Sequence, residues 1–196
     1  MRPSLLLALL ALCVAAGCST TVSVTPQPGV PQDMKTVAVL IFDDSGATDQ
    51  AADRALLGHT AESGSGRAMS KLFAQALAEG KRYDVLRGSR LSTRCLAAGV
   101  DLKDLDRTEP AELGKKLGVE GVIRGKVTSF RQSWFLFLGW ADVAFEVQGY
   151  HVKTGKAAWS ASGRGFRVQG VESDLALAAS RKIAAALPAQ PDAPAE

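Results

Sequence analysis

The sequence predicts a mixed α/β domain of the α+β kind, in which a β-α-β-α-α series precedes a three-strand antiparallel meander and a C-terminal helix. Residues 36–42 form a short, continuously apolar run, which is typical of a strand covered on both faces. Apolar side chains recur at helical spacing between residues 66 and 80. From residue 119 to residue 168 apolar and polar residues alternate in three runs, which is typical of antiparallel strands with one solvated face.

Length, composition and charge limit the possible functions. The chain has 196 residues, of which 46% are hydrophobic, so it can form one domain with a substantial core. Its formal net charge of +3 is too close to neutral to indicate nucleic acid as a partner. Cys95 is the single cysteine beyond residue 18, so we expect no intrachain disulfide and a small, buried residue on a helix face.

The N-terminal segment, residues 1–17, has the composition of a signal peptide. A positive start precedes an apolar run that is too short to cross a bilayer, which needs about 20 residues. The run ends in Ala15-Ala16-Gly17 and is followed by Cys18, which resembles the lipobox of bacterial lipoproteins; that motif most often has leucine where Ala15 stands. The alternative is an ordinary secretory signal, cleaved near Ala16, that leaves Cys18 as a free thiol.

The lipobox resemblance implies cleavage before Cys18, a covalent diacylglycerol on its thiol and an acyl group on the new amine. Each buried methylene contributes about 0.8 kcal/mol, so two or three acyl chains anchor a protein stably. Ser19, rather than aspartate, follows the cysteine, which by the same resemblance implies the outer membrane and a domain that faces the periplasm. We expect no other cofactor.

Residues 18–35 are expected to form a flexible, lipidated tether. Three prolines lie close together there, at positions 26, 28 and 31, and no helical or strand period is evident. At about 3.1 to 3.3 Å per residue, this tether would let the domain reach roughly 45 to 50 Å from the lipid surface. The folded domain is assigned to residues 36–187 and a disordered tail to residues 188–196.

The first strand is followed by a long polar connection, residues 43–66, of the kind in which binding or mobility concentrates. Ser65 and Gly80 are suitable caps for the helix after it. Residues 83–86 are predicted to form the second strand. The apolar stripe expected on the helix comprises Ala68, Met69, Leu72, Phe73, Ala76 and Leu77.

Three further helices have clear boundary signals. Ser89 can cap a helix that runs to about residue 98, and Pro110 starts a short helix that Gly118 ends. Ser173-Asp174 caps the last helix, and Pro188 stops it. The residues expected to face inward are Leu91, Cys95, Ala98, Leu113, Leu117, Leu175, Ala179, Ile183 and Leu187.

The meander is expected to leave one face of the sheet open. Its polar positions alternate with buried ones such as Val143, Phe145 and Val147, and a turn at Thr154-Gly155 joins its last two strands. Helices packed on one face of a mixed sheet bury the apolar positions most economically. The polar face of the meander would then contact solvent or a partner.

Three passages resemble a known family: residues 37–46, residues 112–127 and the turn at residues 152–160. They are similar to segments of the CsgG-like curli-secretion lipoproteins, a group whose relatives include the LpoB-like activators of penicillin-binding proteins and the amino-terminal domain of TolB. The resemblance implies a TolB-N-like fold and a lipoprotein that assembles or activates a protein partner by contact. It also implies a possible homo-oligomer, because the curli-type relatives form rings.

An unusual apolar insert lies between the first two meander strands. It does not alternate, so we do not expect a half-buried strand there. At a hairpin tip its aromatic side chains would contact the membrane or a protein partner, since exposed apolar patches usually mark contacts. The alternative is that the insert folds back and caps the core. Its residues are Trp134, Phe135, Leu136, Phe137, Leu138 and Trp140.

No catalytic or metal-binding constellation is evident. His59 and His151 are too far apart for metal-ligand spacing, and the aspartates after the first strand lack the spacing of a calcium loop. The glycine-rich stretch at residues 64–69 matches neither a dinucleotide fingerprint nor a Walker loop. Neither Ser63 nor Ser65 lies in a nucleophile elbow. We therefore expect no catalytic residue; an envelope enzyme that uses residues 43–66 is the less favoured alternative.

The sequence thus predicts a lipid-anchored envelope protein that binds, assembles or activates a protein partner. A ring-forming accessory component of a secretion or assembly system is the alternative.

Overall fold

The computed structural model describes residues 18–47, 60–61, 64–135 and 138–188. The expected signal peptide and nearly all of the expected tail lie outside these residues. In the described part the strands are β1 (Cys18–Pro26), β2 (Thr36–Val39), β3 (Thr60–Ala61), β4 (Asp84–Leu86), β5 (Gly121–Phe135), β6 (Leu138–His151) and β7 (Lys156–Val168). The α-helices whose full extent is described are α1 (Ser65–Glu79), α2 (Gly88–Ala97), α3 (Pro110–Leu117) and α4 (Glu172–Ala186).

All these strands belong to one mixed sheet, in the order β1-β7-β6-β5-β2-β4, and β3 pairs with β5. Strand β2 runs parallel to both β4 and β5, whereas the other pairs are antiparallel. The α+β class is therefore confirmed, with the predicted β-α-β-α-α series, meander and final helix. Two strands, β1 and β3, are additions to the predicted series.

Helices cover both faces of the sheet around β2. Val37 and Val39 lie in a core cluster with α1 and α4, whereas Ala38 lies in a second cluster with α2 and α3. Because successive side chains of a strand point to opposite faces, the two clusters lie on opposite sides of the sheet. The expectation that all helices share one face is therefore wrong. The apolar run at residues 36–42 had already predicted a strand covered on both faces, and such a strand requires helices on both sides of the sheet.

The start of β5 is buried for the same reason. Val122 packs in the cluster with α2 and α3, while Ile123 packs in the cluster with α1 and α4. This part of the strand is therefore buried on both faces. Its sequence alternation had indicated one solvated face, and that expectation is wrong here. Farther along the meander, Val143, Phe145 and Val147 are buried as predicted.

The prediction of a flexible tether is wrong for residues 18–26. They form β1, which pairs with β7 in an unbroken antiparallel register from Cys18↔Arg167 to Pro26↔Trp159. Val22 and Val24 pack against the core from this strand. The signal was present in the sequence: Thr20, Val22 and Val24 alternate with polar residues, and β-branched side chains favour strands.

The next segment, residues 27–35, is also held against the domain, and we refer to it as the strap. The Gln32 side chain donates a hydrogen bond of 2.7 Å to the carbonyl of Ala158, and Met34 is buried. Asp33 lies 3.3 Å from Nε2 of the buried His151. The strap therefore joins β1 to β2 as an ordered crossover.

Helix α1 is capped by a side chain from outside the helix. Gly64 occupies the N-cap position in a left-handed conformation, with φ 100°, and provides no side-chain cap; the predicted Ser65 is the first helical residue. The Asp44 carboxylate instead accepts hydrogen bonds from the Gly66 amide, at 2.9 Å, and from the Ser65 hydroxyl, at 3.2 Å. Gly80 forms the C-cap, as predicted.

The other helices lie close to their predicted spans, but two predicted caps are wrong. Helix α2 begins at Gly88 and α4 at Glu172, neither has a side-chain cap, and Ser89 and Ser173-Asp174 therefore lie inside the first turns.

Pro110 stands in the first turn of α3, and Gly118 ends that helix in the left-handed conformation. Cys95 is buried on α2, and burial raises the pKa of its thiol. On the surface, α4 is joined to α1 by a bidentate pair between Arg181 and Glu79, whose hydrogen bonds lower the pKa of Glu79 to about 2.

Candidate interaction surface

The apolar insert lies at the end of the β5–β6 hairpin. Trp134 pairs with Gly139, and Phe135 pairs with Leu138, so the backbone at these positions is paired as strand. Leu136 and Phe137, and the side chains of residues 134–138, lie outside the described part, so their contacts stay a prediction.

A polar cluster fixes the base of this hairpin. Arg131 and Asp142 are directly opposite each other on β5 and β6, and Nη2 of Arg131 lies 3.2 Å from Oδ2 of Asp142. The same oxygen accepts a hydrogen bond of 2.6 Å from the Ser129 hydroxyl. The Asp142 side chain is only 13% exposed, so water screens the pair weakly.

Replacing Asp142 with asparagine is expected to lower the free energy of unfolding by about 1–3 kcal/mol, because Arg131 is left partly buried without its counter-charge. Urea denaturation followed by circular dichroism measures the loss. Glu146→Gln, on the same strand and face but exposed, is the control and should change stability little. Equal losses for both variants would contradict the assigned role of Asp142.

The strand register brings Cys18 to the same end of the sheet as the hairpin. Cys18 is opposite Arg167 on β7, and Arg167 is opposite Ala141 on β6. Ala141 lies two positions from Gly139, which pairs with Trp134 near the tip. The residue predicted to be acylated and the apolar insert therefore lie at the same end of the sheet, with β7 between them, although more than a hundred positions separate them in the sequence.

Exposed apolar side chains continue the surface at this end. Phe166 is 40% exposed, Val168 is 41% exposed and Val171 is 46% exposed. Val168 is opposite the half-buried Trp140, and Phe166 is opposite Ser19 on β1. We call this end of the sheet, where these residues and the β5–β6 turn lie, the apolar end of the domain.

The outer face of β1, β7, β6 and β5 is open and polar, as the meander pattern predicted. Ser23, Ser162, Glu146 and Lys126 follow one another across the four strands in a single row. In the described structure no helix packs on this row. The open face therefore presents hydroxyl, amide and charged groups rather than an apolar patch.

The groups considered for catalysis or ligand binding, where they lie in the described residues, all contact structural partners. The α1 N-terminus is occupied by Asp44, so its glycine-rich stretch is not arranged for a phosphate. His151 is bound by Asp33 and by Thr154, whose Oγ1 lies 3.2 Å from Nδ1. A backbone hydrogen bond from Ser45 lowers the pKa of Asp43.

Across the described ranges, no group of three or more His, Cys, Asp or Glu side chains is arranged to hold a metal ion. His59, Ser63, Asp49 and Asp53 lie outside those ranges, as does most of the connection at residues 43–66. Within the same ranges no helix has the length and apolar character needed to span a bilayer.

A single mixed sheet with an antiparallel meander and helices on both faces around its parallel strands defines the class of fold. No protein-family model and no curated protein matches the chain. Solved structures do match. PelC from Paraburkholderia phytofirmans, a dodecamer, is 18% identical and superimposes with TM-scores of 0.56 and 0.53 in two crystal forms; the match covers 84% of this chain and 95% or 94% of that one.

The lipoprotein GNA1162 from Neisseria meningitidis is also 18% identical, with a TM-score of 0.51, over 78% of this chain and 99% of that one. The LpoB C-terminal domain from Salmonella enterica reaches only 0.44, at 15% identity over 70% of this chain and 85% of that one, which is too weak to bear on this protein. At these identities the likeness shows a shared fold, which occurs in at least one bacterial lipoprotein. The closer resemblance to the CsgG-like group stays a prediction.

Proposed function

We propose that this protein is an envelope lipoprotein, acylated at Cys18 and anchored in the outer membrane, whose domain faces the periplasm. There it binds, assembles or activates a protein partner by contact. We assign it no catalytic residue, metal or non-covalent cofactor. The lipoprotein neighbour with the same fold supports an envelope location, and the lipobox-like sequence supports the anchor.

One observation carries the proposal: Cys18 and the hairpin tip lie at the same end of one sheet. Since β1 begins at Cys18, no free tether separates the lipid from the domain. Acyl chains on Cys18 would therefore hold the apolar end at the bilayer surface, rather than let the domain move tens of ångströms away. Tryptophans that bracket an apolar tip suit that interface, where an amphipathic ring has one apolar and one wet side.

The same geometry leaves the open polar face and the far end of the sheet accessible to a protein partner. The row from Ser23 to Lys126 runs across the sheet, at a right angle to the strands, and so lies parallel to the membrane. Its mixed hydroxyl and charged groups fit a polar, water-containing protein interface. The partner would meet this face while the apolar end stays on the lipid.

We expect a double variant of the hairpin tip, Trp134→Ser with Phe137→Ser, to keep its thermal stability and lose contact at the apolar end. The test measures the binding of delipidated protein to vesicles by co-sedimentation and to envelope proteins by crosslinking. Leu96→Ser, at the 83% exposed position of α2 on another surface, is the matched control and should change neither. Loss of folding in the double variant would instead support the alternative that the insert caps the core.

A ring-forming accessory component is the second candidate, favoured by the fold likeness to the PelC dodecamer. Light scattering coupled to size exclusion separates the two. A protein that stays monomeric at every concentration would exclude a stable ring. The remaining candidate would then be a binding module that acts as a single copy.

A further inference from the structure

Strand β1 is held less firmly than the segments around it. None of residues 19–26 is fully buried, and Val22 and Val24 are only half-buried. Strand β1, Cys18–Pro26, contains no charged residue. Its attachment to β7 therefore depends on backbone hydrogen bonds and on the packing of Val22 and Val24. Lys182 adds one hydrogen bond of 3.0 Å, to the carbonyl of Thr20. An edge strand with so little buried surface opens at a small fraction of the global unfolding free energy.

The later part of the strap, residues 30–35, remains in place when β1 leaves, because Val30 also packs against the core. Met34 is 1% exposed, Asp33 pairs with His151, and the carboxylate of Glu120 accepts a hydrogen bond from the Thr36 amide at 3.3 Å. The moving part is therefore β1, and its hinge is Pro28-Gly29, once the Gln27 amide has released the carbonyl of Ala158, to which it donates a hydrogen bond of 2.8 Å.

Departure of β1 leaves the edge of β7 unpaired. That edge exposes backbone groups and the small residues Gly163 and Gly165, which lie over Phe145 and Leu175. A bare strand edge of this kind is a template for another strand. The strand that fits it best is the one just removed, and a second copy of the chain carries an identical strand.

We propose that β1 is an exchangeable strand and that β1 of one copy pairs with β7 of a second copy, so that copies are joined by strand exchange. The exchanged pair repeats every contact of the closed domain, so the exchange needs no new interface. Its direction is also retained, so the Cys18 of the donor strand lies at the hairpin end of the copy that accepts it. Direct β1–β1 antiparallel pairing would instead point the two hairpins in opposite directions, away from a common membrane.

A disulfide trap tests the exchange in the full chain. Ser23 and Ser162 are exposed and directly opposite each other, within the Cα separation that a disulfide requires. Two differently tagged full-length copies are produced in the same cells, one with Ser23→Cys and the other with Ser162→Cys. After mild oxidation of the envelopes, a linked heterodimer is expected on a non-reducing gel.

Two controls make the result specific. Ser23→Cys combined with Gln148→Cys, which is opposite Ser160 and one strand farther away, should give no heterodimer, and each single variant alone should give none. One copy with both Ser23→Cys and Ser162→Cys reports the closed domain as a linked monomer. Absence of the in-register heterodimer overturns the exchange, and so does an equal yield from the Gln148 pair. Because the readout is the strand pairing itself, it is separate from acylation and from partner binding.

Discussion

Replacing Cys18 with serine is expected to release the protein from the membrane fraction. In the proposed anchor, two or three acyl chains each contribute about 0.8 kcal/mol per buried methylene, so their removal would leave only the weaker contact proposed for the apolar end. The measurement is fractionation of cells together with the intact mass of the N-terminal peptide. The native protein should begin at Cys18 and carry the mass of a diacylglycerol and an acyl chain.

Ser23→Ala is the matched control, because it changes the same strand without removing the thiol. It should stay in the membrane fraction with the native lipid mass. If Cys18→Ser remained bound to membranes as firmly as this control, or if the native N-terminus lacked lipid, the anchor would have to be assigned elsewhere. An unmodified thiol at Cys18 would support the alternative of an ordinary secretory signal.

Replacing Gly66 with alanine is expected to destabilise the protein strongly. A Cβ atom at this position would lie 2.0 Å from the carbonyl oxygen of Phe42, and a backbone atom cannot move aside as a flexible side chain can. The amide of Phe42 also donates to the carbonyl of Gly66, at 3.4 Å, and Asp44 accepts from the Gly66 amide. The clash therefore separates α1 from the segment that follows β2, at a cost of about 3 kcal/mol or more.

Gly80→Ala, at the other end of the same helix, is the matched control. Gly80 has φ −68°, and its nearest atom for a new Cβ is the carbonyl oxygen of Leu77 at 3.4 Å, an ordinary contact. Alanine there should leave stability unchanged or raise it by about 0.4–1 kcal/mol. Chemical denaturation of both variants measures the change in the free energy of unfolding at each end of α1. A small loss at Gly66 would show that α1 is not packed against β2 in this way.

Local signals predicted most elements because their causes are local. The apolar run at residues 36–42 identified β2, and Pro110 and Gly118 marked the two ends of α3 through the missing amide of proline and the left-handed conformation of glycine. The alternation of Val143, Phe145 and Val147 identified the buried face of β6. Each of these signals acts within a few residues.

The errors have equally specific causes. Three prolines favour an extended tether at residues 18–35, whereas the Thr20-Val22-Val24 alternation favours a strand, and pairing with β7 stabilises the strand. The cap of α1 comes from Asp44, which is 22 positions from Gly66 in the sequence and adjacent to it only after folding. The proximity of Cys18 to the hairpin depends on two successive strand registers, β1 with β7 and β7 with β6. No single-sequence pattern specifies such registers, because they are set by pairing across the whole sheet.

The orientation of the domain on the membrane can be measured through its three tryptophans. Trp134 and Trp140 lie toward the hairpin tip, whereas Trp159 is fully buried, opposite Pro26 at the other end of β1. In vesicles that contain the native lipidated protein, brominated lipids should quench the fluorescence of the first two. The remaining fluorescence of a Trp134→Phe, Trp140→Phe variant, which comes from Trp159, should be unaffected. Equal fluorescence of the native protein with and without brominated lipid would contradict a domain held with its apolar end on the bilayer.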